Sequence, residues 1–234
     1  MSVQKFLLCI VLITNSVFAA SRPAISFSCV VPDNLPQWAE VMEVYTNAFD
    51  NIGFDFSMVY VDPKHEIEDL INLHSYDGIC GRVHNFSDEL RIESIVRLNT
   101  AVMKTVLSVY RHPAMSTETP NVLFFPGAKV GYLNSILVHK SILADHDEVI
   151  AVSFLKPEMG IKSLAEGEID YWVGVSVVGE YMIKQLKVES SVTKIVNLKS
   201  DALYPYLNIK HSNIVTPLEV ELQKIIEQRG SLIE

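Results

Sequence analysis

The feature that most constrains the fold is an alternation of strand and helix patterns over residues 24–82. Residues 24–31, AISFSCVV, are β-forming and end at a proline and an aspartate, which predicts a buried strand. Over residues 35–52, apolar side chains recur at spacings of three and four before Gly53, which predicts an amphipathic helix. The segments FDFSMVYV, HEIEDLINLHS and YDGICGR continue as strand, helix and strand. This order predicts a parallel sheet with right-handed crossovers.

A second alternation follows two apolar runs in residues 94–112 and the polar loop PAMSTETPN. KVGYLNS, EVIAVSF and IDYWVGVS predict strands, whereas ILVHKSILADH, KPEMGIKSLAEGE and VVGEYMIKQL predict helices. After VTKIVNLKS, the chain ends in a predicted helix, TPLEVELQKIIEQRG. The pattern predicts a two-lobe α/β fold, in which each lobe is a mostly parallel sheet flanked by helices. The C-terminal ends of both sheets then meet around a central cleft, where ligands of open parallel sheets bind.

Two of these helices carry finer predictions. In HEIEDLINLHS, we expect Ile67, Leu70 and Ile71 to face the core. In the terminal helix, Thr216 and Glu219 have the spacing of a capping box, and a glycine follows the last turn.

The N-terminus has the pattern of a cleavable signal peptide. Lys5 precedes the apolar run FLLCIVLITNSVF, whose 13 residues are too few to span a bilayer. Val17 and Ala19 fit the small-residue rule for cleavage, so we expect residues 1–19 to be removed, with cleavage after Ala20 as the alternative. The mature chain is therefore expected to be exported to the periplasm.

The charge balance argues against one class of partner. The chain has 19 basic and 28 acidic residues, a formal net charge of −9. Loss of Lys5 with the signal segment, which contains no acid, makes the mature charge −10. Because nucleic-acid binding needs a basic face, we expect no nucleic-acid partner.

Two cysteines, Cys29 and Cys80, remain after the signal segment. In an oxidising compartment they can pair, and closing a loop of about 50 residues stabilises a fold by about 4 kcal/mol in the chain-entropy model. Neighbouring parallel strands are a poor geometry for a disulfide, so two buried thiols are the open alternative.

The order and spacing of several segments resemble the family 3 extracellular solute-binding proteins, which are bilobal periplasmic proteins with a Venus-flytrap hinge. These segments are AFDNIGFDFSMVYV, YDGICGRV, AKVGYLNS, PEMGIKSLAEGEIDYWVG and LYPYLNIKH. The resemblance implies a first lobe of residues 20–107 and 200–234 and a second lobe of residues 108–199. It also implies a protein that closes on a small-molecule solute and presents it to an ABC-type permease or a membrane sensor. We expect a monomer without a cofactor.

The resemblance further implies a ligand-clamping arginine after the third strand. Arg82 ends that predicted strand, and Arg91 lies further along, where the family pattern more often places the clamp. Val175 and Ser176 stand where the family usually has the acid that meets a ligand ammonium, which argues against a standard α-amino acid. We expect a small polar solute that is anionic or amino-acid-like.

Arg82 itself has two interpretations. At a strand end that faces a cleft, a guanidinium can hold a carboxylate or phosphate in a bidentate fork. As a surface or hinge residue, Arg82 would instead pair with Asp33 or Asp88. Both interpretations remain open from the sequence.

Other candidate ligand contacts come from both lobes. Asn134 and Ser135 lie at a strand-to-helix turn, where backbone N–H groups attract an anion, although either side chain can equally be the helix N-cap. Ser176 is a candidate because of the resemblance. Trp38 can stack on a ligand, but its helical spacing with Met42 favours core packing.

Motifs of catalysis and metal binding are missing from the sequence. It has no HExxH zinc motif, no GxSxG nucleophile elbow and no phosphate-cradling glycine loop. We therefore predict a binding protein that is not an enzyme and has no metal site. Two alternatives stay open: a cyclohexadienyl-type dehydratase on the same fold, and a ligand-free protein-interaction domain.

Overall fold

The computed structural model describes residues 21–72, 74–114, 123–134, 142–144 and 146–233. The predicted signal peptide, Ser135 and most of the predicted helix ILVHKSILADH lie outside these residues. In the described part of the chain, no helix is long and apolar enough to cross a membrane.

The first alternation is confirmed in order and type. Its elements are β1 (Ala24–Cys29), α1 (Pro36–Asn51), β2 (Asp55–Tyr60), α2 (Pro63–Asn72) and β3 (Gly78–Arg82). A short helix and a short strand follow, α3 (Phe86–Leu90) and β4 (Ile95–Arg97). Proline at the first position of α1 fits the helix start, because its missing N–H would have no intrahelical partner there.

The second alternation is also confirmed where it is described. Its elements are β5 (Met103–Arg111), β6 (Lys129–Leu133), β7 (Ile150–Phe154), α4 (Pro157–Ala165), β8 (Tyr171–Val175) and α5 (Ser176–Leu186). The chain then forms β9 (Thr193–Asn208), a 3₁₀ helix (Ile209–Ile214) and α6 (Val215–Arg229). At 16 residues, β9 is much longer than the strand that VTKIVNLKS predicts.

The strands form one continuous sheet in the order β2-β1-β3-β9-β5-β8-β6-β7, with β4 paired to β9. The pairs β1–β2, β1–β3, β6–β7 and β6–β8 are parallel. Strand β9 runs antiparallel to β3 and β5, and β5 runs antiparallel to β8. Each lobe thus has a parallel set of strands, and the long antiparallel pair β5–β9 joins the two sets.

The pairing register shows the direction in which the parallel strands of each lobe run. The last residue of β3, Arg82, is opposite Tyr204 of β9, and the last residue of β8, Val175, is opposite Leu107 of β5. Leu107 in turn is opposite Lys199 of β9. The two strand ends therefore face each other along β9, about five residues or roughly 17 Å apart.

Between these strand ends, the sheet narrows to two strands. Residues 103–106 of β5 pair with residues 200–203 of β9, beyond the last pair of β3, at Tyr204, and the last pair of β8, at Leu107. Near the first lobe, Ile233 adds an isolated bridge to Met103. This two-stranded segment connects the lobes, and the C-terminal ends of β1–β3 and β6–β8 lie on either side of it.

The core of the first lobe is built around aromatic residues between the sheet and its helices. The Phe27 ring meets the rings of Tyr45 and Phe49 edge-on, with centroids 5.4 and 5.5 Å apart. Phe56 stacks on Phe49 at 4.9 Å. Leu218 of α6 is fully buried in the same cluster, so the C-terminal helix packs against this core.

The second lobe has apolar clusters on both faces of its sheet. Tyr171 and Trp172 are neighbours on β8 and point to opposite faces, as strand alternation predicts. Trp172 lies edge-on to Phe154, while Tyr171 lies edge-on to Phe124. Helix α4 passes so close to Trp172 that a Cβ at Gly160 would overlap the indole ring.

One of the two finer helix predictions is confirmed where it is described, and the other is wrong. In α2, Leu70 is buried and Ile67 packs against the same cluster, as predicted, while the side chain of Ile71 lies outside the description. The buried face of α2 also carries Glu66 and Asp69. In α6, no side chain caps the N-terminus, and the Glu219 carboxylate accepts hydrogen bonds from the backbone and side-chain nitrogens of Asn99, at 2.6 and 3.0 Å. A tertiary contact with Asn99 thus uses the acid that the helix pattern assigned to a capping box.

Cys29 and Cys80 form a disulfide that joins β1 to β3. The parallel register pairs Phe27 with Gly78 and Ser28 with Ile79, so the two cysteines continue the register directly opposite each other. Their Cα atoms are 5.1 Å apart, within the ordinary range for a disulfide, and both residues are fully buried. The structure therefore decides between the alternatives that the sequence left open.

We expect the Cys29→Ala/Cys80→Ala variant to lose about 4 kcal/mol of unfolding free energy, because the unfolded chain regains the entropy of an open loop. Urea denaturation of oxidised wild type, reduced wild type and the double variant measures this loss. Equal stability of the three proteins would contradict a cross-link that constrains the unfolded chain.

A polar cluster around Asp77 lies at the opposite end of β3 from Arg82. Its carboxylate accepts a hydrogen bond from the Ser26 backbone N–H at 2.9 Å, and its Oδ1 lies 2.8 Å from Lys210 Nζ and 2.7 Å from His211 Nε2. Burial by itself raises the pKa of Asp77, but the hydrogen bonds from Lys210, His211 and Ser26 outweigh it and lower the pKa below its usual range. The cluster fastens the 3₁₀ helix to the start of β3.

Because the pKa of Asp77 is lowered in the folded state, its ionised form stabilises the protein above the unfolded pKa of about 4, and this contribution is lost as the pH falls through the lower folded pKa. We expect Asp77→Asn to cost about 1–2 kcal/mol at pH 7 and less at pH 3. Urea denaturation at both pH values tests this, with the exposed Asp147→Asn as the matched control. An equal cost of Asp77→Asn at both pH values would contradict the prediction.

Candidate functional site

Arg82 lies at the C-terminal end of β3, beside the two-stranded segment that connects the lobes. Its Nη2 donates a hydrogen bond to Oε2 of Glu66 in the first turn of α2. The guanidinium carbon also lies 5.2 Å from the centre of the Phe86 ring, a cation–π contact. Arg82 is thus held by α2 and α3, and neither Asp33 nor Asp88, which the sequence suggested as partners, is its ion-pair partner.

The ion pair between Arg82 and Glu66 is almost completely buried. The Glu66 side chain is 0% exposed and that of Arg82 is 16% exposed. Among the described residues, Glu66 Oε1 and Arg82 Nε have no hydrogen-bond partner. The guanidinium therefore stands at the predicted position, but a carboxylate of the same chain already balances its charge.

Arg91, the rival arginine, is in a different environment. It follows α3 in a left-handed backbone conformation with φ of 53°, and it is exposed. Its backbone N–H donates to the Asp88 carbonyl at 3.2 Å, which ends the short helix.

Asn134 lies at the end of β6, as predicted, and is exposed. Its backbone N–H donates to the Phe154 carbonyl at 3.1 Å, which extends the β6–β7 pairing by one bond. This N–H is therefore already used within the sheet. Ser135, the other candidate at this turn, lies outside the described residues.

Ser176 begins α5 directly after β8 and joins a chain of hydrogen bonds. Its hydroxyl contacts the hydroxyl of the buried Ser108, which lies 2.7 Å from Asn197 Oδ1. The Tyr110 hydroxyl donates to the Ser176 carbonyl at 3.0 Å, and burial, followed by the charge of Glu180, raises the pKa of Tyr110. The network fixes the start of α5 against β5 and β9.

Trp38 is half-buried on α1 and packs against the core of the first lobe. This placement agrees with the core-packing interpretation of its helical spacing.

Tyr60 ends β2 and is 44% exposed. Burial raises the pKa of Tyr60, and the nearby carboxylates of Asp62 and Asp33 raise it further. Asp33 follows the end of β1 and Asp62 follows the end of β2, so both carboxylates lie at strand ends of the first lobe.

A cavity of about 310 Å³ lies at the far end of the second lobe, where His112, Glu166 and Asp170 line it. Because His112 follows the end of β5 and Asp170 precedes β8, this cavity is remote from the facing strand ends. In the described part of the chain, no three His, Cys, Asp or Glu side chains are grouped closely enough to hold a metal ion.

Sequence reasoning identified Arg82 but missed Glu66 and Ser108, with which the site residues interact. A signal for Glu66 existed, because Glu66 and Leu70 are four residues apart and share one helical face. For Ser108, β-strand alternation indicates a face but not a hydrogen-bond partner 68 residues away.

No family model matches the chain. An uncharacterized protein of Shewanella oneidensis is 25% identical over 206 residues, which cover 82% of this chain and 72% of that protein.

Among solved structures, the periplasmic VFT2 domain of BvgS from Bordetella pertussis has a TM-score of 0.63 at 12% identity, covering 88% of this chain and 93% of that domain. Holo ArgBP from T. maritima has a TM-score of 0.65 at 11% identity, with coverages of 89% and 96%. A histidine kinase sensor domain with similarity to periplasmic binding proteins has a TM-score of 0.66 at 12% identity, with coverages of 89% and 92%. These likenesses confirm the predicted fold class, a two-lobe, periplasmic-binding-protein-like α/β fold.

We expect Arg82→Ala to lower the unfolding free energy by about 3 kcal/mol, because it leaves the Glu66 carboxylate buried without its partner. The matched control is Arg91→Ala, which removes the same charge from an exposed residue and should change stability by less than about 0.5 kcal/mol. Chemical denaturation of both variants provides the measurement. Equal effects of the two substitutions would mean that the Arg82–Glu66 pair does not form in solution.

Proposed function

We propose that this chain is an exported, periplasmic solute-binding protein. Its two lobes close on a small polar solute, and the closed form is recognised by a membrane transporter or a membrane sensor. The N-terminal sequence pattern supports export, and the fold that the chain shares with binding proteins and sensor domains supports a binding role.

The observation that carries this proposal is the opposed direction of the two sets of parallel strands. The ends of β3 and β8 face each other across a connection formed by two strands, residues 103–106 and 200–203, with one further bridge from Ile233 to Met103. Ligands of open parallel sheets bind beyond the carboxyl ends of the strands, so a solute between the lobes can contact both sets.

A two-stranded connection also suits a hinge, because few contacts resist a change in the angle between the lobes. We propose lobe boundaries at residues 107/108 and 199/200, with residues 20–107 and 200–234 in one lobe. Closure then draws its free energy from solute contacts that exist only in the closed state.

The polar groups at the strand ends support a solute other than a standard α-amino acid. Val175 ends β8, and the adjacent Ser176 is hydrogen-bonded within the second lobe. Neither residue offers a carboxylate for a ligand ammonium. The anionic or amino-acid-like ligand that the sequence suggested depends on Arg82, whose charge is balanced by Glu66.

Two types of membrane partner fit this proposal. The holo form of ArgBP supports solute capture, which suits a transporter as partner, whereas the histidine kinase sensor domain supports a sensor-type role. Monomeric behaviour fits either partner.

A thermal-shift screen of organic acids, amino acids, polyamines and oligopeptides tests the proposal. A solute at about 100 times its dissociation constant should stabilise the protein by about 2.7 kcal/mol, which raises the melting temperature by several degrees. Small-angle scattering should show a smaller radius of gyration with the solute, because closure brings the lobes together. If no solute in the library shifts melting, solute binding is contradicted, and capture of a membrane protein without any solute would favour a protein-interaction domain.

A further inference from the structure

Glu66 occupies an unusual position for an acidic residue. It lies in the first turn of α2, its side chain is 0% exposed, and its Oε2 binds Arg82 at the end of β3. Only one hydrogen bond joins the two groups among the described contacts, and Glu66 Oε1 and Arg82 Nε have no partner there.

Such a pair is a poor source of stability. Removing two ionised groups from water costs several kcal/mol per ion, which is recovered only when good geometry and additional hydrogen bonds compensate both groups. Here one oxygen and one nitrogen remain without hydrogen bonds. Replacing such a pair with apolar residues of similar size often costs no stability. Stability alone therefore does not explain why two charged residues occupy this position.

The location suggests what these charges do. Arg82 is 16% exposed beside the two-stranded connection, at the strand ends where the proposed solute binds. A solute carboxylate at this guanidinium would meet a charge that Glu66 already balances, and it would place a second negative charge beside a buried carboxylate. Displacing Glu66 would instead leave that carboxylate buried and unpaired, so either arrangement consumes binding free energy.

Another acid lies near the neighbouring strand ends of the first lobe. Asp33 follows β1, and after burial the charges of Asp62 and Asp33 raise the pKa of Tyr60, the last residue of β2.

We propose that Glu66 sets the charge of the solute that the first lobe accepts. By occupying Arg82 with a carboxylate of its own, the chain makes these strand ends select a neutral or cationic group and reject an anionic one. This inference rests on the proposed solute-binding function, and it names the class of solute.

The test uses three probes of one length and different charge: succinate, succinamide and putrescine. Binding of each to wild type, Glu66→Gln and Glu68→Gln is measured by titration calorimetry at constant ionic strength. Glu66→Gln keeps the size of the side chain and removes its charge, whereas Glu68→Gln removes the same charge from an exposed residue of the same helix.

We expect wild type and Glu68→Gln to bind succinate more weakly than succinamide or putrescine. In Glu66→Gln the guanidinium is free for a charge-assisted hydrogen bond, so succinate should bind roughly ten- to a hundred-fold more tightly than to wild type. Putrescine binding should weaken in the same variant. Unchanged succinate binding in folded Glu66→Gln would overturn the inference.

A measurement on wild type keeps the inference testable if Glu66→Gln does not unfold cooperatively. Saturable succinate binding to wild type that Arg82→Lys weakens would overturn it, whereas exclusion of succinate with binding of succinamide or putrescine would support it.

The two proposals can fail separately. If a solute of the wider library binds wild type but Glu66→Gln gains no succinate affinity, only the role of Glu66 is wrong. If no solute binds wild type but Glu66→Gln gains succinate affinity, the proposed function is wrong while the control of Arg82 by Glu66 stands. If neither protein binds any solute, both proposals are wrong.

Discussion

The antiparallel pairing of β5 with β9 determines where every candidate site residue lies. Strand β9 is 16 residues long and hydrogen-bonds to β5 in the second lobe and to β3 and β4 in the first. Strand β3 runs antiparallel to β9, and β8 runs antiparallel to β5. The C-terminal ends of β3 and β8 therefore point toward each other from the two lobes. A shift of one residue in this pairing would turn the facing side chains of β9 to the other face of the sheet.

The polar groups at the facing strand ends of the two lobes already have partners within the chain, and these partners differ in kind. In the second lobe, Ser176 joins a network with Ser108 and Asn197, and the N–H of Asn134 extends the sheet. In the first lobe, Arg82 is bound to Glu66 with its hydrogen bonds incomplete. The first network positions a helix, whereas the second places a balanced charge beside the cleft.

Local patterns predicted most of the fold because apolar periodicity reflects which face of an element is buried. The β1–α1–β2–α2–β3 order and the glycine stop after α6, Gly230 with φ of 78°, follow from such patterns. Acids form contacts that the local patterns did not predict. Glu219 was expected in a capping box but binds Asn99, and Glu66, to which the sequence assigned no role, binds Arg82.

The sequence by itself determined the two alternating units, the presence of an arginine at the end of β3 and two cysteines able to pair. These properties depend on residue types and on spacings of a few residues along the chain. The tertiary structure decided which residue binds that arginine and whether the two cysteines lie opposite each other. It also decided that the ends of β3 and β8 face each other. Each of these depends on which distant segments lie side by side, because a carboxylate 16 residues away or a strand 120 residues away interacts only after folding.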